Sequence, residues 1–135
     1  MAEIDQMILC DTNILIEFYK NNADVTEVLR RIGYGEIAVS VITQAELYFG
    51  AFDKREFETI RKNLSLIAVL PLNGAVSKQF IRLMERYSLS HRLSLPDGLI
   101  AASAIVYALP LYTLNVRDFR FIEGLELYGI TENRS

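Results

Sequence analysis

The chain has 135 residues, of which 51% are hydrophobic and 23% are charged, and its formal net charge at pH 7 is −3. This length and balance favour one compact globular domain, and they exclude a disordered chain and a globally basic nucleic-acid binder. The single cysteine, Cys10, excludes an internal disulfide and a cysteine-based zinc cluster, and its apolar neighbours indicate an inert core residue.

The first half of the chain alternates short apolar runs with amphipathic segments. Short apolar runs that end at a turn-forming residue are typical of buried strands, whereas apolar residues three and four apart indicate helices. In chain order, the predicted elements are a strand at 7–11, helices at 13–20 and 22–33, a strand at 36–40, and helices at 41–52 and 53–64.

The second half continues this alternation. The predicted elements are a strand at 67–71, helices at 75–88 and 96–109, a strand at 111–114, a helical turn at 116–123 and a further strand at 125–128. Short strands joined by helical crossovers predict an α/β fold with a mostly parallel sheet of four to five strands. A ligand site is then expected at the carboxyl ends of the strands. Because no repeat or linker interrupts the pattern, we predict a single domain over residues 1–135.

The chain shows no export or membrane signal. The opening residues MAEIDQM are acidic where a secretory signal would be basic, and no small-residue cleavage site follows. The longest uncharged stretch, residues 98–116, is interrupted by Ser103, Pro110 and Asn115 and indicates a buried helix plus a strand. We therefore expect a cytoplasmic protein that does not enter a membrane.

Two carboxylates lie in unexpectedly apolar surroundings. The segment ILCDTNILIEF places Asp11 at the end of the first predicted strand, where an Asx-turn or a helix N-cap would also account for it. Glu46 is the one charge in SVITQAELYFGAF, and an unpaired carboxylate is costly among apolar neighbours. A capping box formed by Thr43 and Glu46 is the alternative, although the residues before Thr43 already look helical.

Three further polar residues follow a predicted strand or open a predicted helix. Asp97 opens the otherwise uncharged segment PDGLIAASAIVYAL, and Ser94 and Pro96 before it also fit an ordinary helix start. Asn115 and Asp118 follow the strand predicted at 111–114, and either is also typical of a turn.

Taken together, these positions indicate a metal site. Asp11, Asp97 and Asn115 lie near strand–helix junctions, and Glu46 lies on the helix after the second strand, so a doubly wound sheet can bring them together. Carboxylates that meet without basic partners repel one another, and a divalent cation with oxygen ligands is the usual resolution. We therefore predict that Asp11 helps to hold a metal.

Four short segments in a fixed order carry a family resemblance. They are DTN at 11–13, TQAELYFG around Glu46, LPDGLIAASA around Asp97, and TLNVRDF ending at Phe119. In combination they resemble the PIN-domain ribonucleases, in particular the VapC-type toxins of bacterial and archaeal toxin–antitoxin pairs. The likeness covers nearly the whole chain. It implies a three-layer α/β/α fold and an acidic core of Asp11, Glu46 and Asp97 that holds Mg²⁺ or Mn²⁺.

The fourth acidic position of the family departs from the pattern in this chain. PIN domains commonly have an acidic residue near TLNVRDF, where this chain has Asn115, with Asp118 three residues later. We expect Asp118 to help through a water, and Asn115 to be a neutral ligand or an orienting group. Thr12 and Asn13 are expected to support the site through their side-chain oxygens.

The residue chemistry suits metal-dependent hydrolysis of RNA. Magnesium keeps much of its water and binds through a few carboxylates plus substrate phosphates. A metal-activated water can then attack the phosphodiester in line, without a covalent enzyme intermediate. The single histidine, His91, is not expected within the site, so a mechanism that uses an active-site histidine is not favoured.

An acidic pocket repels RNA, so basic residues must attract the RNA backbone. Lys78, Arg82 and Arg86 lie four apart on one predicted helix, and His91 and Arg92 follow shortly before Asp97. We interpret this set as carrying substrate phosphates, although an ordinary solvated helix face explains it at least as well.

Other functions remain open at this point. A PIN-like module that binds RNA or protein without cutting is the alternative, and Asn115 is the residue in its favour. A receiver domain is not favoured, because the third predicted strand continues as VLPLNG without an aspartate.

The toxin interpretation also implies partners. They are an RNA substrate, a cognate antitoxin whose C-terminal segment blocks the site, and a second copy of the toxin in a homodimer. Tyr19, Tyr48, Phe49 and Phe52 could line a groove for such a partner, and core packing accounts for them equally well.

Overall fold

The computed structural model describes residues 4–129. At its centre lies a four-stranded sheet in the order β3-β2-β1-β4, and all neighbouring strands run parallel. The strands are β1 (Ile8–Cys10), β2 (Ile37–Ser40), β3 (Ala68–Leu70) and β4 (Leu111–Tyr112). The parallel sheet confirms the predicted fold class.

Within residues 4–129, six α-helices connect and cover the strands. They are α1 (Thr12–Tyr19), α2 (Ala23–Ile32), α3 (Val41–Phe49), α4 (Lys54–Leu64), α5 (Gly74–Tyr87) and α6 (Leu95–Tyr107). Short 3-10 turns lie at Ile4–Gln6, Tyr34–Glu36 and Val116–Asp118. Several helices begin at a side-chain cap, since Asn22, Asp53 and Asn73 each accept a hydrogen bond from the backbone N–H three residues on.

The two faces of the sheet bury two separate cores. Successive side chains of a strand point to opposite faces. Leu9 of β1 therefore joins the core that contains Leu83 of α5 and Ile100 of α6. Its neighbour Cys10 joins the core that contains Leu29 of α2. Helices thus cover both faces, and the three-layer α/β/α arrangement is confirmed.

The predicted strand at 125–128 is wrong for the part of the chain that the structure describes. Leu127 forms only an isolated parallel bridge with Leu111. Two backbone hydrogen bonds hold it, from Leu111 N–H to the Glu126 carbonyl (2.9 Å) and from Tyr128 N–H to the Leu111 carbonyl (2.8 Å). Gly124 and Gly129 have φ angles of 88° and 78°, and this left-handed conformation interrupts an extended run on both sides.

Two predicted helical segments are also shorter than expected. The helix predicted at 41–52 ends at Phe49, with Gly50 as its C-cap, and the Phe52 N–H donates to Glu56 of the next helix (2.8 Å). The turn predicted at 116–123 is helical only over Val116–Asp118. Phe52 lies beyond the end of α3, and its side chain is exposed.

The strand order creates a crevice next to β1. From β1 the chain passes to β2 and β3 on one side and returns to β4 on the other. Ligand sites in parallel sheets lie at such reversals, outside the carboxyl ends of the strands. Cys10 pairs with Tyr112, so the next residues, Asp11 and Thr113, leave the sheet side by side.

No helix among residues 4–129 has both the length and the apolar character that a membrane crossing requires.

Candidate functional site

Asp11 is held firmly at the carboxyl end of β1. Its side chain is 5% exposed. Oδ1 accepts a hydrogen bond from Thr12 N–H (2.7 Å), and Oδ2 accepts one from Thr113 Oγ1 (2.7 Å). Asp11 is thus the N-cap of α1, as one interpretation of the sequence predicted, but the cap uses only one of its oxygens.

The surroundings of Asp11 disfavour its charged form. Burial raises the pKa of Asp11, the hydrogen bonds from Thr113 and Thr12 oppose this, and the charges of Glu46 and Asp118 raise the pKa further. The carboxylates of α3 and of the 116–118 turn therefore act on Asp11 across the crevice.

Glu46 reaches the site from the middle of α3. The N-cap of α3 is Ser40, whose Oγ accepts from Ile42 N–H (3.1 Å), so the capping box of Thr43 and Glu46 is wrong. Glu46 Oε1 instead accepts a hydrogen bond from Thr12 Oγ1 (2.6 Å). Thr43 Oγ1 lies 2.9 Å from Thr12 Oγ1, and since the one proton of Thr12 goes to Glu46, Thr43 is the donor.

Asp97 lies in the first turn of α6. Ser94 is the N-cap and its Oγ accepts from Asp97 N–H (3.2 Å), so the predicted helix start is correct. The pKa of Asp97 is raised to about 6, mainly by burial and in addition by the charges of Asp11, Asp118 and Glu46, while the Ser94 hydroxyl opposes the rise. Three carboxylates therefore disfavour the charged form of a fourth, which places all four in one neighbourhood.

The segment after β4 closes the site from the other side. Asn115 donates its backbone N–H to Thr113 Oγ1 (3.0 Å), so Thr113 links this backbone to Asp11. Asn13 Oδ1 accepts from Leu114 N–H (3.3 Å) and ties α1 to the same segment. The side chains of Asn115 and Asp118 are exposed.

The four carboxylates have no cationic partner in the described chain. None of Asp11, Glu46, Asp97 and Asp118 forms an ion pair with a Lys, Arg or His within residues 4–129. In that range, no three His, Cys, Asp or Glu residues are grouped in a way that could hold a metal ion directly. The site is therefore a loose cluster of oxygen donors whose mutual repulsion is unrelieved.

Cys10 lies directly before Asp11 and is fully buried. Burial raises the pKa of the Cys10 thiol to about 12, and the neighbouring charge of Asp11 contributes. The thiol is therefore protonated at physiological pH, which agrees with the predicted inert core residue.

A polar cavity of about 530 Å³ opens beside the cluster. It is lined by His91, Arg92, Leu93, Ser94, Asp97, Arg117, Asp118, Arg120 and Phe121. Of the basic residues predicted to lie near the RNA, His91 and Arg92 are in this lining. Lys78, Arg82 and Arg86 are exposed on α5, where Arg86 pairs with Glu123 (2.9 Å).

Several residues of this region were not predicted in their observed roles. His91 was predicted among the basic residues near the RNA and not as a catalytic group, and it lines the cavity and stacks on Phe121, with ring centroids 4.1 Å apart. Arg117 and Arg120 lie in a predicted helical turn and were not predicted to belong to the site. The contact of Thr113 with Asp11 could not be predicted, because it depends on the pairing of β1 with β4.

A second, larger cavity of about 930 Å³ lies among α1, α2, α3 and α4. Its lining is mostly apolar and includes Ile16, Phe18 and Leu47, and Glu46 is part of it. This cavity therefore adjoins the carboxylate cluster through Glu46.

Comparison with known proteins gives consistent matches. The PIN domain family model matches residues 8–124. Ribonuclease VapC10 of Mycobacterium tuberculosis is 34% identical over 122 residues, which cover 89% of this chain and 91% of that protein.

Solved structures are similar over most of their length. A toxin–antitoxin complex from Klebsiella pneumoniae matches with a TM-score of 0.75 and 30% identity, over 87% of this chain and 94% of that chain. VapBC2 from Rickettsia felis, bound to a DNA fragment from its promoter, matches with a TM-score of 0.74 and 25% identity, over 90% and 96% of the two chains.

Proposed function

The chain belongs to the PIN domain family, and on that premise we propose that it is a metal-dependent endoribonuclease and the toxin of a VapBC-type toxin–antitoxin pair. The observation that carries the proposal is the convergence of Asp11, Glu46, Asp97 and Asp118 at one edge of the sheet, without an ion-pair partner among residues 4–129. The proposal treats residues 1–135 as one PIN domain.

The donor set fits a hard divalent cation, either Mg²⁺ or Mn²⁺. All four side chains offer carboxylate oxygens. Burial, and to a smaller extent the charges of the neighbouring carboxylates, raise the pKa values of Asp11 and Asp97, and a cation would favour their charged forms. Mg²⁺ usually keeps several waters and takes only one or two carboxylates directly, so a loose cluster suits it. We propose Asp11, Asp97 and Glu46 as the metal-binding residues.

The remaining polar residues have supporting roles in this proposal. Asp118 would act through a water, and Asn115 would be a neutral ligand or an orienting group. Thr12 fixes the direction of Glu46, and Asn13 holds the segment after β4 against α1. Second-shell hydrogen bonds of this kind fix the geometry of metal-binding residues.

The chemistry follows from this arrangement. When bound, the metal would supply positive charge for the phosphate and make a coordinated water more acidic. Asp97 and Asp118 line the open cavity, so they face a phosphodiester that enters it. A carboxylate there can accept the proton that the attacking water loses. Hydrogen bonds from hydroxyl donors restrain Asp11 and Glu46 and orient their carboxylates within the cluster.

We further propose that an antitoxin segment binds the larger, apolar cavity and blocks the site from there. Tyr19 lines this cavity. Phe49 and Phe52, at the end of α3 and just after it, are 94% and 88% exposed and extend the apolar surface. Tyr48 stacks on Phe57 instead, with ring centroids 4.5 Å apart. Both similar solved structures described above come from toxin–antitoxin systems.

The proposal includes a homodimer that works in the cytoplasm. Ile81, Leu89 and Leu95 are large apolar residues that are more than half exposed, and they offer surface for self-association. Light scattering of the purified protein tests the dimer, because a monomeric mass at micromolar concentration would contradict it.

Cleavage of mixed RNA by the purified protein tests the main proposal. The reaction is run with Mg²⁺, with Mn²⁺ and with EDTA, alongside Asp11→Asn and Asp97→Asn. We expect cutting only with a divalent metal, and its loss in both variants. If the wild-type protein, freed of any bound partner, cuts nothing with either metal, the non-catalytic binding module becomes the better interpretation.

A further inference from the structure

The polar cavity beside Asp97 and Asp118 has a basic side that the proposed chemistry does not use. Arg92, Arg117 and Arg120 line it, and all three are exposed. None of them forms an ion pair with a carboxylate among residues 4–129. Their guanidinium groups are therefore available to an anion, and guanidinium forks bind phosphate oxygens well.

The backbone at Arg92 is strained. Its φ angle is 55°, in the left-handed region, where residues with a side chain are disfavoured. Strain of this kind persists where the surrounding structure imposes it, and it concentrates at functional sites. Here it occurs in the short link between α5 and α6 that brings His91 and Arg92 to the cavity.

The cavity also has an aromatic side. The rings of His91 and Phe121 are nearly parallel, with centroids 4.1 Å apart and an interplanar angle of 10°. Tyr87 packs edge-on against both rings, at 5.7 Å from His91 and 5.1 Å from Phe121. Ser90 Oγ lies 2.8 Å from His91 Nδ1 and fixes the ring further.

His91 remains accessible from the cavity. Phe121 stacks on its ring, yet His91 is exposed and lines the cavity. A flat, fixed ring that is accessible is a platform on which a nucleic-acid base can stack. Such stacking requires a base that is not already stacked within a duplex, as in single-stranded RNA.

We propose that this cavity is a nucleotide-binding subsite for single-stranded RNA beside the scissile phosphate, with a base on His91 and phosphates on Arg92, Arg117 and Arg120. The inference rests on the proposed ribonuclease function, whose substrate it positions. Three arginines face two aspartates in the lining, so the subsite can hold a phosphate next to a cluster that would otherwise repel it.

Equilibrium binding of a short, fluorescein-labelled single-stranded RNA tests the subsite without hydrolysis. Fluorescence anisotropy is measured for the wild-type background in EDTA and for the Asp11→Asn background in Mg²⁺. His91→Ala and Arg117→Ala are compared with Arg55→Ala, an exposed arginine of α4 that does not line the cavity. Thermal melting verifies that each variant is folded.

Base stacking and phosphate contacts predict different effects on RNA binding. His91→Ala should weaken binding about fivefold to tenfold and leave the salt dependence unchanged, because stacking is not ionic. Arg117→Ala should lower the slope of log K against log salt by about 0.7, the value for one phosphate of a single strand. Arg55→Ala should change neither quantity.

A tryptophan reporter gives an independent readout. The chain contains no tryptophan, so His91→Trp introduces a unique fluorophore at the platform. We expect RNA to bind this variant and quench its fluorescence, and inorganic phosphate to leave the fluorescence unchanged.

The outcomes separate this inference from the nuclease proposal. If the wild type cleaves RNA but His91→Ala and Arg117→Ala bind like Arg55→Ala, the subsite is overturned and the nuclease stands. If both variants bind weakly but the wild type cleaves nothing, the subsite stands and the nuclease fails. Absence of RNA binding by the wild type, or equal binding of duplex RNA, overturns the subsite.

Discussion

The carboxylate cluster has two halves that the protein holds in different ways. The held half, Asp11 and Glu46, receives hydrogen bonds from Thr12 and Thr113, and Asp11 is buried. The open half, Asp97 and Asp118, lines a cavity, and Asp118 is exposed. Hydrogen bonds therefore restrain two carboxylates of the cluster, whereas the other two are open to the cavity.

This difference indicates separate roles for the two halves. The held half is oriented before a ligand binds, and the open half responds to the ligand. Donors already in place fix the held half in the folded protein, so binding a cation requires no rearrangement there. In the open half, burial and the charges of neighbouring carboxylates raise the pKa of Asp97, so that a cation or a proton near this carboxylate would be favourable. We expect the held half to set metal binding and the open half to deal with substrate and solvent.

The largest expected effect comes from removing one carboxylate from each half. Asp11→Asn should lower the rate of RNA cleavage by about 100-fold or more, because a proposed metal-binding carboxylate and its charge are lost. Asp118→Asn should lower it by about tenfold, because it acts through water in the proposed site. Single-turnover cleavage at saturating Mg²⁺ measures both rates. Equal losses would mean that the two halves do not differ in function.

The hydroxyl donors of the held half provide a second, smaller test. Thr12→Val and Thr113→Val keep the side-chain volume but remove the donors to Glu46 and Asp11, and we expect metal affinity to fall by about tenfold for each. Thr59→Val is the matched control, since its hydroxyl donates to a backbone carbonyl on α4. Calorimetric titration with Mn²⁺ measures the affinities, and unchanged values in both site variants would contradict preorganisation.

Stability against pH tests the open half in the metal-free protein. The pKa of Asp97 is raised to about 6, so the folded protein holds this proton more tightly than an unfolded chain with an Asp pKa of about 3.9. The stabilising contribution is complete below about pH 4 and is lost as the pH rises through about 6.

Replacing the Asp97 carboxylate by an amide should therefore stabilise the metal-free protein at neutral pH. We expect Asp97→Asn to raise the free energy of unfolding at pH 7.5 by about 1 kcal/mol, a value reduced for solvent screening of a half-buried group. Urea unfolding in EDTA between pH 4 and pH 8 measures the difference, with Asp24→Asn on α2 as the control. Identical pH profiles for the wild type and Asp97→Asn would contradict the raised pKa of Asp97, which burial and the neighbouring carboxylates cause.

The smallest effect is expected on α5, outside both halves. Arg82 and Arg86 do not line the cavity, and Arg86 is already paired with Glu123. Charge reversal of both should weaken RNA binding about twofold at low salt, through the long-range field alone. Anisotropy titrations at several salt concentrations measure it. If affinity and salt dependence are unchanged, these arginines form only a solvated helix face.

The sequence was sufficient for the fold and for most of the cluster. Apolar strands alternating with amphipathic helices predicted the parallel sheet, and position at strand ends singled out Asp11 and Asp97. The two interpretations of Asp11 were not exclusive, because a carboxylate has two oxygens and the cap uses one.

The parts that were missed depend on distant contacts. Thr113 is an ordinary strand residue until the register of β1 with β4 brings it to Asp11. His91 becomes a platform only because Phe121, thirty residues later, lies beneath it. Local periodicity carries no information on either contact. It also extended the predicted helix past the end of α3 to the exposed Phe52.

The buried thiol of Cys10 can serve as a built-in probe of local opening of the sheet. Cys10 is the sole cysteine, it is fully buried, and it is covalently next to Asp11. A thiol reagent reacts only when this strand end becomes accessible, so the modification rate reports how often the sheet opens at the site. If metal or a partner segment clamps that edge, labelling should slow in proportion to occupancy. The same background lets a cysteine placed elsewhere on the surface be labelled selectively.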